Sequence, residues 1–318
     1  KKGSDTMSVI EVRHVTKDYG HGRGIFDVSF EIAEGEVFGF LGPNGAGKTT
    51  TIRHLMGFSK PQEGELYING KDCWKSAAII KHDVGYLPGE LAFPKGMTGE
   101  GFIKFMAEER QISDMSRTDY LKEMFELDSA MEIEAMSLGS KRKLALVTAF
   151  MHNPKVLILD EPTSGLDPVM QERFIQFILE EKKEGKTILL SSHIFSEVDA
   201  TCDRIAIIKD GVVVSTIEAA KLKHNTNKTF KIEFATKKDY QQFLARTKFK
   251  IPVERPDQNQ VKLNLTDETM QRLFTELSEV SIRFISEIKF TLEDYFMDFY
   301  DRKKSIAAGE ENLEHGVH

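Results

Sequence analysis

Two hydrophobic periods alternate along residues 8–225. Val9-Ile10-Glu11-Val12 and Val28-Ser29-Phe30-Glu31-Ile32 alternate apolar and polar positions, the pattern of antiparallel strands with one wet face. Glu36-Val37-Phe38-Gly39-Phe40-Leu41, Val156-Leu157-Ile158-Leu159 and Thr187-Ile188-Leu189-Leu190 read instead as buried strands with near-continuous apolar runs, as strands covered on both faces require. Between them lie helical patterns. Thr51 to Met56 opens one helix, and Val169 to Glu184 forms a longer one with Phe174, Ile175 and Ile178 on one side. Strands alternating with helices predict a largely parallel α/β core. Asp210-Gly211 between Ile207-Ile208 and Val212-Val213-Val214 predicts a hairpin that closes it.

A second unit begins near Lys228. Phe230, Ile232 and Phe234 alternate with Lys231 and Glu233, and a helix carrying Tyr240, Phe243 and Leu244 follows. Val261, Leu263 and Leu265 resume the alternation, Met270, Leu273, Phe274 and Leu277 share a helix face, and Ile282 and Phe284 restart a strand. The order β-α-β-α-β predicts a small α+β domain over 228–302 after a first domain over 7–225. It carries no cluster of chemically active side chains, which favours a structural or regulatory role. Residues 1–6, ahead of Met7, read as an expression-derived leader, and the polar tail 303–318 reads as disordered.

The chain has 318 residues, room for one large and one smaller domain. Its net charge of −7 argues against a nucleic-acid surface. Cys73 and Cys202 lie far apart with no metal-ligand spacing, consistent with a reducing, cytoplasmic setting. No signal peptide is evident, and no apolar run approaches the roughly 18 residues of a membrane span. Any membrane role requires spans from another chain.

The chemistry concentrates in Gly42-Pro43-Asn44-Gly45-Ala46-Gly47-Lys48-Thr49-Thr50, which fits the phosphate-loop pattern G-x-x-x-x-G-K-[ST] between a strand and a helix. Glycines there let backbone N–H groups turn around a phosphate at the positive end of a helix. Lys48 would reach the β- and γ-phosphates, and the Thr49 hydroxyl would ligate Mg²⁺. Asp160-Glu161 follows the buried strand ending at Leu159. That places Asp160 to hold Mg²⁺ through water and Glu161 to orient an attacking water. Ser164-Gly165-Leu166-Asp167-Pro168 and then His193 complete an ordered series.

Taken in this order, residues from about Met7 to Ser215 resemble the ATP-binding cassette (ABC) ATPases. Gly42 to Thr50 matches the Walker A segment, including Asn44, Gly45, Ala46, Gly47 and Thr50; Val156 to Glu161 matches Walker B; Ser164 to Asp167 matches the D-loop; and His193 matches the switch histidine. The resemblance implies an α/β P-loop NTPase cassette: a mixed sheet core, an antiparallel β subdomain and a helical subdomain, with the small α+β domain appended. It implies ATP and Mg²⁺ as ligands, with Lys48, Glu161 and His193 catalytic and Thr49 and Asp160 on the metal. Tyr19 falls where the family stacks an aromatic ring on adenine. Met136-Ser137-Leu138-Gly139-Ser140 stands at the family signature L-S-G-G-Q. There Ser137 and Gly139, with Asp167, would meet the nucleotide of an opposing cassette. Lys141-Arg142-Lys143 reads as a solvated helix face. Gly89 stands where the family usually carries a glutamine, and the adjacent Glu90 is a candidate substitute. Phe93 and Met97 are candidates for docking a membrane subunit, whereas Phe102, Phe105 and Met106 read as core.

The resemblance implies ATP hydrolysis by a head-to-tail pair of cassettes, identical or different. These would act with transmembrane permease subunits at the cytoplasmic face of the cell membrane. Phe290-Thr291-Leu292-Glu293-Asp294-Tyr295-Phe296 is similar to the close of cassettes in the ABC-2 exporter branch, whose cargo includes drugs, antimicrobial peptides, lipids and ions. The alternatives are a soluble ABC ATPase and a weakly hydrolysing regulatory cassette. About 90 residues separate Lys48 from Ser137, too few for the long coiled coil of a chromosome ATPase.

Overall fold

A computed structural model describes residues 8–223, 228–288 and 291–297. The leader 1–6 and the tail 303–318 lie outside the described residues, as does Phe290 of the C-terminal match. The chain divides into two compact units, 1–219 and 220–318. The division falls a few residues ahead of the Asn225 boundary read from sequence.

In the first unit, β1 (Ser8–Asp18) and β2 (Gly24–Ala33) pair antiparallel, as their alternation requires. β3 (Val37–Leu41) is buried along its whole length and leads through the phosphate loop into α1 (Lys48–Leu55). Then follow β4 (Glu63–Ile68), β5 (Lys71–Asp72), α2 (Ala77–Asp83) and β6 (Val84–Leu87). A helical section comprises α3 (Gly99–Glu109), α4 (Ser116–Met124) and α5 (Leu138–Phe150). The chain returns through β7 (Val156–Asp160), α6 (Pro168–Lys183), β8 (Thr187–Ser192), α7 (Phe195–Thr201), β9 (Arg204–Lys209) and β10 (Val212–Glu218). α8 (Ala219–Lys223) spans the division between units.

One sheet, ordered β2-β1-β4-β5, is antiparallel throughout. The other, ordered β10-β9-β3-β8-β7-β6, is parallel except for its β9–β10 hairpin. Asp210 and Gly211 make the hairpin turn, both with positive φ (50° and 78°), as a type I′ turn demands. β7 and β8 bury every residue, in keeping with strands flanked on both sides and covered on both faces.

α6 buries Met170, Phe174, Phe177, Ile178 and Glu181, the i, i+4, i+7, i+8, i+11 stripe of one helix face. Ile175, expected on this face, is only half-buried. Phe177 packs edge-on against Phe150 of α5 and Phe125 just after α4, with ring centroids 4.8 and 5.6 Å away.

The second unit contains β11 (Lys228–Phe234), α9 (Lys237–Arg246), β12 (Val253–Arg255), β13 (Gln260–Leu265), α10 (Asp267–Leu277) and β14 (Ile282–Ile288). Its sheet order is β12-β13-β11-β14, antiparallel throughout. This is the β-α-β-β-α-β arrangement of ferredoxin-like domains. The sequence pattern omits β12, since this three-residue edge strand is fully exposed and shows no apolar alternation. Ile232, Phe234, Tyr240, Phe243, Val261, Leu263, Leu265, Leu273 and Leu277 form the core. Phe274 and Phe284 are exposed rather than internal. A register shift between Glu233 and Phe234 alters the pairing with β14, and Ile285 is the β14 residue packed on the core.

Replacing Phe177 with alanine removes a ring shared by three helical segments. A loss of about 3–5 kcal/mol is expected, read as a lower urea midpoint at unchanged slope. A wild-type midpoint would show that this aromatic cluster does not fasten the helical section.

Candidate active site

Parallel strands that share one sheet deliver their C-terminal loops to one edge, where α/β proteins bind ligands. Here β3, β8, β7 and β6 are consecutive neighbours. The segments 42–47, 191–194, 160–167 and 88–90 therefore emerge side by side.

Gly47 is the N-cap of α1 in a left-handed conformation, φ 111°. A Cβ there would lie 2.7 Å from Ile25 Cγ2, so glycine is required on both counts. Lys48 is only 4% exposed. Its ammonium donates to the carbonyls of Gly42 (2.6 Å) and Pro43 (3.1 Å) and pairs with Glu161 Oε1 at 2.9 Å. The loop thus wraps the lysine while Asn44, Gly45 and Thr49 stay exposed, Thr50 is half-buried and Ala46 is buried.

Asp160 ends β7 with no exposed surface. The Ser191 hydroxyl donates to its Oδ1 at 2.5 Å, and the Glu161 N–H donates to the Ser191 carbonyl at 3.1 Å. Asp160 Oδ2 is buried with no hydrogen-bond partner. Gly89 sits against this oxygen: a Cβ on it would stand 2.9 Å from Oδ2. Glu161 takes a left-handed backbone conformation, φ 50°, uncommon for a non-glycine residue. Its Oε2 accepts from His193 Nδ1 at 2.5 Å. Lys48, Glu161 and His193, far apart in sequence, are therefore one contiguous group.

The donor set fits a hard cation. An unpartnered carboxylate oxygen at Asp160 and the exposed Thr49 hydroxyl are oxygen ligands of the kind Mg²⁺ takes beside phosphates and water. Among the described residues no group of three or more His, Cys, Asp or Glu could hold a metal alone.

The other residues singled out from sequence stand apart from this group. Ser137 is exposed and caps α5, its hydroxyl accepting from the Ser140 N–H at 3.1 Å. Gly139, in the first turn, lies beside Gly165. Asp167 caps α6 by accepting from the Met170 N–H at 3.0 Å, and that N–H holds its carboxyl below the ordinary range. Tyr19 is 54% exposed with Lys17 Nζ 5.6 Å from its ring centroid. Glu90 is exposed, and Gly89 adjoins Asp160.

Two sequence expectations are corrected. Arg142 is not on a solvated face; it is 2% exposed. It stands one helical turn before Leu146, in a helix whose residues from Leu144 to Phe150 are all buried, a spacing that could have revealed it. On α3 the buried stripe is Gly99, Ile103 and Ala107, while Phe102 and Met106 are half-buried and Phe105 is 45% exposed. Phe93, named as a docking residue, packs edge-on to Phe102 at 5.2 Å.

Sequence reasoning also missed a polar layer behind the site. Glu197 of α7 is buried, its Oε2 accepting from the Ser192 hydroxyl at 2.5 Å. Ser192 Oγ in turn accepts from the Ile194 N–H at 2.9 Å, fixing the turn that carries His193. Burial pushes the Glu197 carboxyl up to about 7; the hydroxyls of Ser192 and Thr163 oppose this, and the charge of Glu161 adds to it.

With this geometry in place, known proteins can be compared. The family profile described as "ABC transporter" matches residues 25–164. The ABC transporter ATP-binding protein YhcH of Bacillus subtilis (strain 168) is 33% identical over 310 residues, covering 93% of this chain and 97% of that protein. The bacitracin transport ATP-binding protein BcrA of Bacillus licheniformis is 32% identical over 231 residues, 72% of this chain and 76% of its own length. A dimeric post-hydrolysis structure of the ATP-binding cassette MJ0796, bound to ADP and Pi, superposes with a TM-score of 0.60 at 25% identity, covering 66% of this chain and 98% of that one.

Because the native Glu197 carboxyl, at about 7, holds its proton to higher pH than the ordinary 4.5, the native state binds more protons between these values. Stability therefore falls as pH rises from about 4.5 to 7 and levels off above. Glu197→Gln should remove this contribution, at most about 3 kcal/mol, and so narrow the difference between urea midpoints at pH 5 and pH 8. An unchanged difference would show that Glu197 ionises normally.

Proposed function

The chain belongs to the ABC transporter ATP-binding proteins, and on that premise we propose that it drives an exporter of the ABC-2 branch. It is an ATPase, the nucleotide-binding subunit of a transporter. Among the described residues no helix is long and apolar enough to cross a membrane. In this reading separate permease subunits carry the cargo, and the chain works at the cytoplasmic face of the membrane.

The observation that carries the catalytic reading is the convergence of Lys48 and His193 on the two oxygens of Glu161. In hydrolysis, the Lys48 ammonium moves from Glu161 to the γ-phosphate and neutralises charge that develops there. Glu161, released from that pair, accepts a hydrogen bond from the attacking water and aligns it in line with the bond that breaks. His193 holds Glu161 in orientation from its other oxygen as the water attacks. Thr49 and Asp160 would hold Mg²⁺, which would supply further charge neutralisation.

The N–H groups of 44–50 cradle the phosphates, and Tyr19 stacks on the adenine. Ser137 and Gly139, at the start of α5, complete the site of a second cassette, with Asp167 at the same interface. Leu138 and Val169 are large exposed apolar residues beside these positions, which supports a partner surface there. The bacitracin transport relative and the Thr291–Phe296 match support export. Exposed Phe58, Trp74, Ile79 and Phe105 supply apolar surface for a membrane subunit. Residues 7–225 are the cassette, and 228–302 an accessory domain.

Glu161→Gln should retain ATP binding and lose turnover by about 10²–10⁴-fold, accumulating a nucleotide-bound dimer on size exclusion. Wild-type turnover would remove the catalytic assignment. Lys48→Ala should weaken ATP binding by about tenfold or more; unchanged affinity would remove the phosphate-loop reading. Purified in mild detergent from its native membrane, the chain should carry a stoichiometric multi-span partner, and its absence would overturn the exporter reading.

A further inference from the structure

Arg142 donates three hydrogen bonds to backbone carbonyls. Its Nε donates to Ser164 O at 3.1 Å, Nη1 to Pro88 O at 2.9 Å and Nη2 to Gly89 O at 2.8 Å. Pro88 and Gly89 immediately follow β6, and Ser164 lies in the turn that follows β7. These strands are parallel neighbours, so one guanidinium bridges two adjacent strand ends from a helix on neither strand.

A buried charge needs partners, and its ordinary partner is a carboxylate. Burial lowers Arg142 from its ordinary pKa, while the negative charges of Asp160 and Glu161 push it back up. Yet among the described residues no carboxylate is hydrogen-bonded to it. Carbonyl acceptors take one N–H from each guanidinium nitrogen and leave both carboxylates to their own partners. The planar fork suits this task, since its donors point in fixed directions and can hold separate acceptors at once.

The loops it holds are those that shape the site. Gly89 abuts Asp160 Oδ2, and Ser164 is three residues after Glu161, to whose carbonyl its N–H donates at 3.1 Å. Leu138, at the start of α5, covers the adjoining residue: a Cβ on Gly165 would fall 2.9 Å from Leu138 Cγ. The first turns of α5 therefore grip the β7 turn at two points and the β6 loop at a third.

We infer that Arg142 is a positioning residue that fixes the Pro88–Gly89 loop and the Glu161–Ser164 turn to the start of α5, aligning Glu161 and Asp160 for turnover. The inference deepens the catalytic reading and rests on its assignment of Glu161. That assignment is tested separately by Glu161→Gln.

The test compares Arg142→Met and Arg142→Lys in the full chain, with kcat and KM for Mg-ATP, nucleotide affinity and hydrogen exchange as readouts. Arg142→Met should lower kcat by about tenfold or more while KM and ATP affinity stay within about threefold. Exchange should accelerate in peptides spanning 86–90 and 161–167 ahead of the strands behind them. Arg142→Lys, with one point charge for three carbonyls, should fall between wild type and Arg142→Met. Equal losses in kcat and affinity, or acceleration spread evenly over the cassette, would reduce Arg142 to a general stabiliser and overturn the inference. Should Arg142→Met fail to fold, Arg142→Lys decides: wild-type kcat and exchange overturn it, and a lowered kcat with faster exchange confined to the two loops supports it.

Discussion

Asp160 has no exposed surface, and a buried carboxylate persists only where hydrogen bonds and nearby positive charge offset its lost hydration. Much of the surrounding architecture answers that requirement. Ser191 at the end of β8 supplies the hydroxyl for one oxygen, which fixes the alignment of β7 and β8 at their ends. Gly89 leaves the other oxygen open, because any larger side chain would stand against it. Lys48 and Arg142, both nearly sealed from solvent, provide cations on either side of the Asp160–Glu161 turn. The loops at this sheet edge are thus constrained together, and a shift in one changes the electrostatics of the others.

This arrangement gives a physical meaning to the two departures from the family pattern. Where the family usually has a glutamine, Gly89 contributes only backbone, and that backbone is held from α5 by Arg142. The link between this loop and the helical section thus runs through main-chain carbonyls. At the signature, Leu138 replaces a glycine without disturbing the helix start, since Ser137 keeps its N-cap geometry and Leu138 is the first helical residue. Its side chain lies over Gly165 while remaining largely exposed, so it joins the helix tip to the following turn and still faces outward.

What could be read from the sequence was whatever depends on local spacing. The phosphate loop, the Walker B strand and the Asp210-Gly211 hairpin are each encoded within a few consecutive residues, and each appears where expected. The convergence of Lys48, Glu161 and His193 was legible as well, because parallel strands bring their ends to one edge. Arg142 was missed because a run of three basic residues looks solvated, although its place one turn before Leu146 sets it on the inward face of α5. β12 escaped because an exposed three-residue strand has no hydrophobic signature, and Phe105 because an aromatic residue on a helix suggests burial. The polar layer of Ser191, Ser192 and Glu197 left no pattern, as buried polar groups are chosen for partners remote in sequence.

Burial is the main reason that this hidden layer contains an acid near its neutral form, and the charge of Glu161 adds to it. Lys48 pairs with Glu161, and the charges of Asp160 and Glu161 also act on Arg142. A third carboxylate at Glu197, if ionised, would add to the negative field of Glu161, which is one of the causes raising its pKa toward 7. Protonated, it still accepts from Ser192 and steadies the turn that bears His193 without competing for the cations. The acid serves as a support for the switch turn because its own charge is suppressed, and the positive charge of Lys48 remains available for a phosphate.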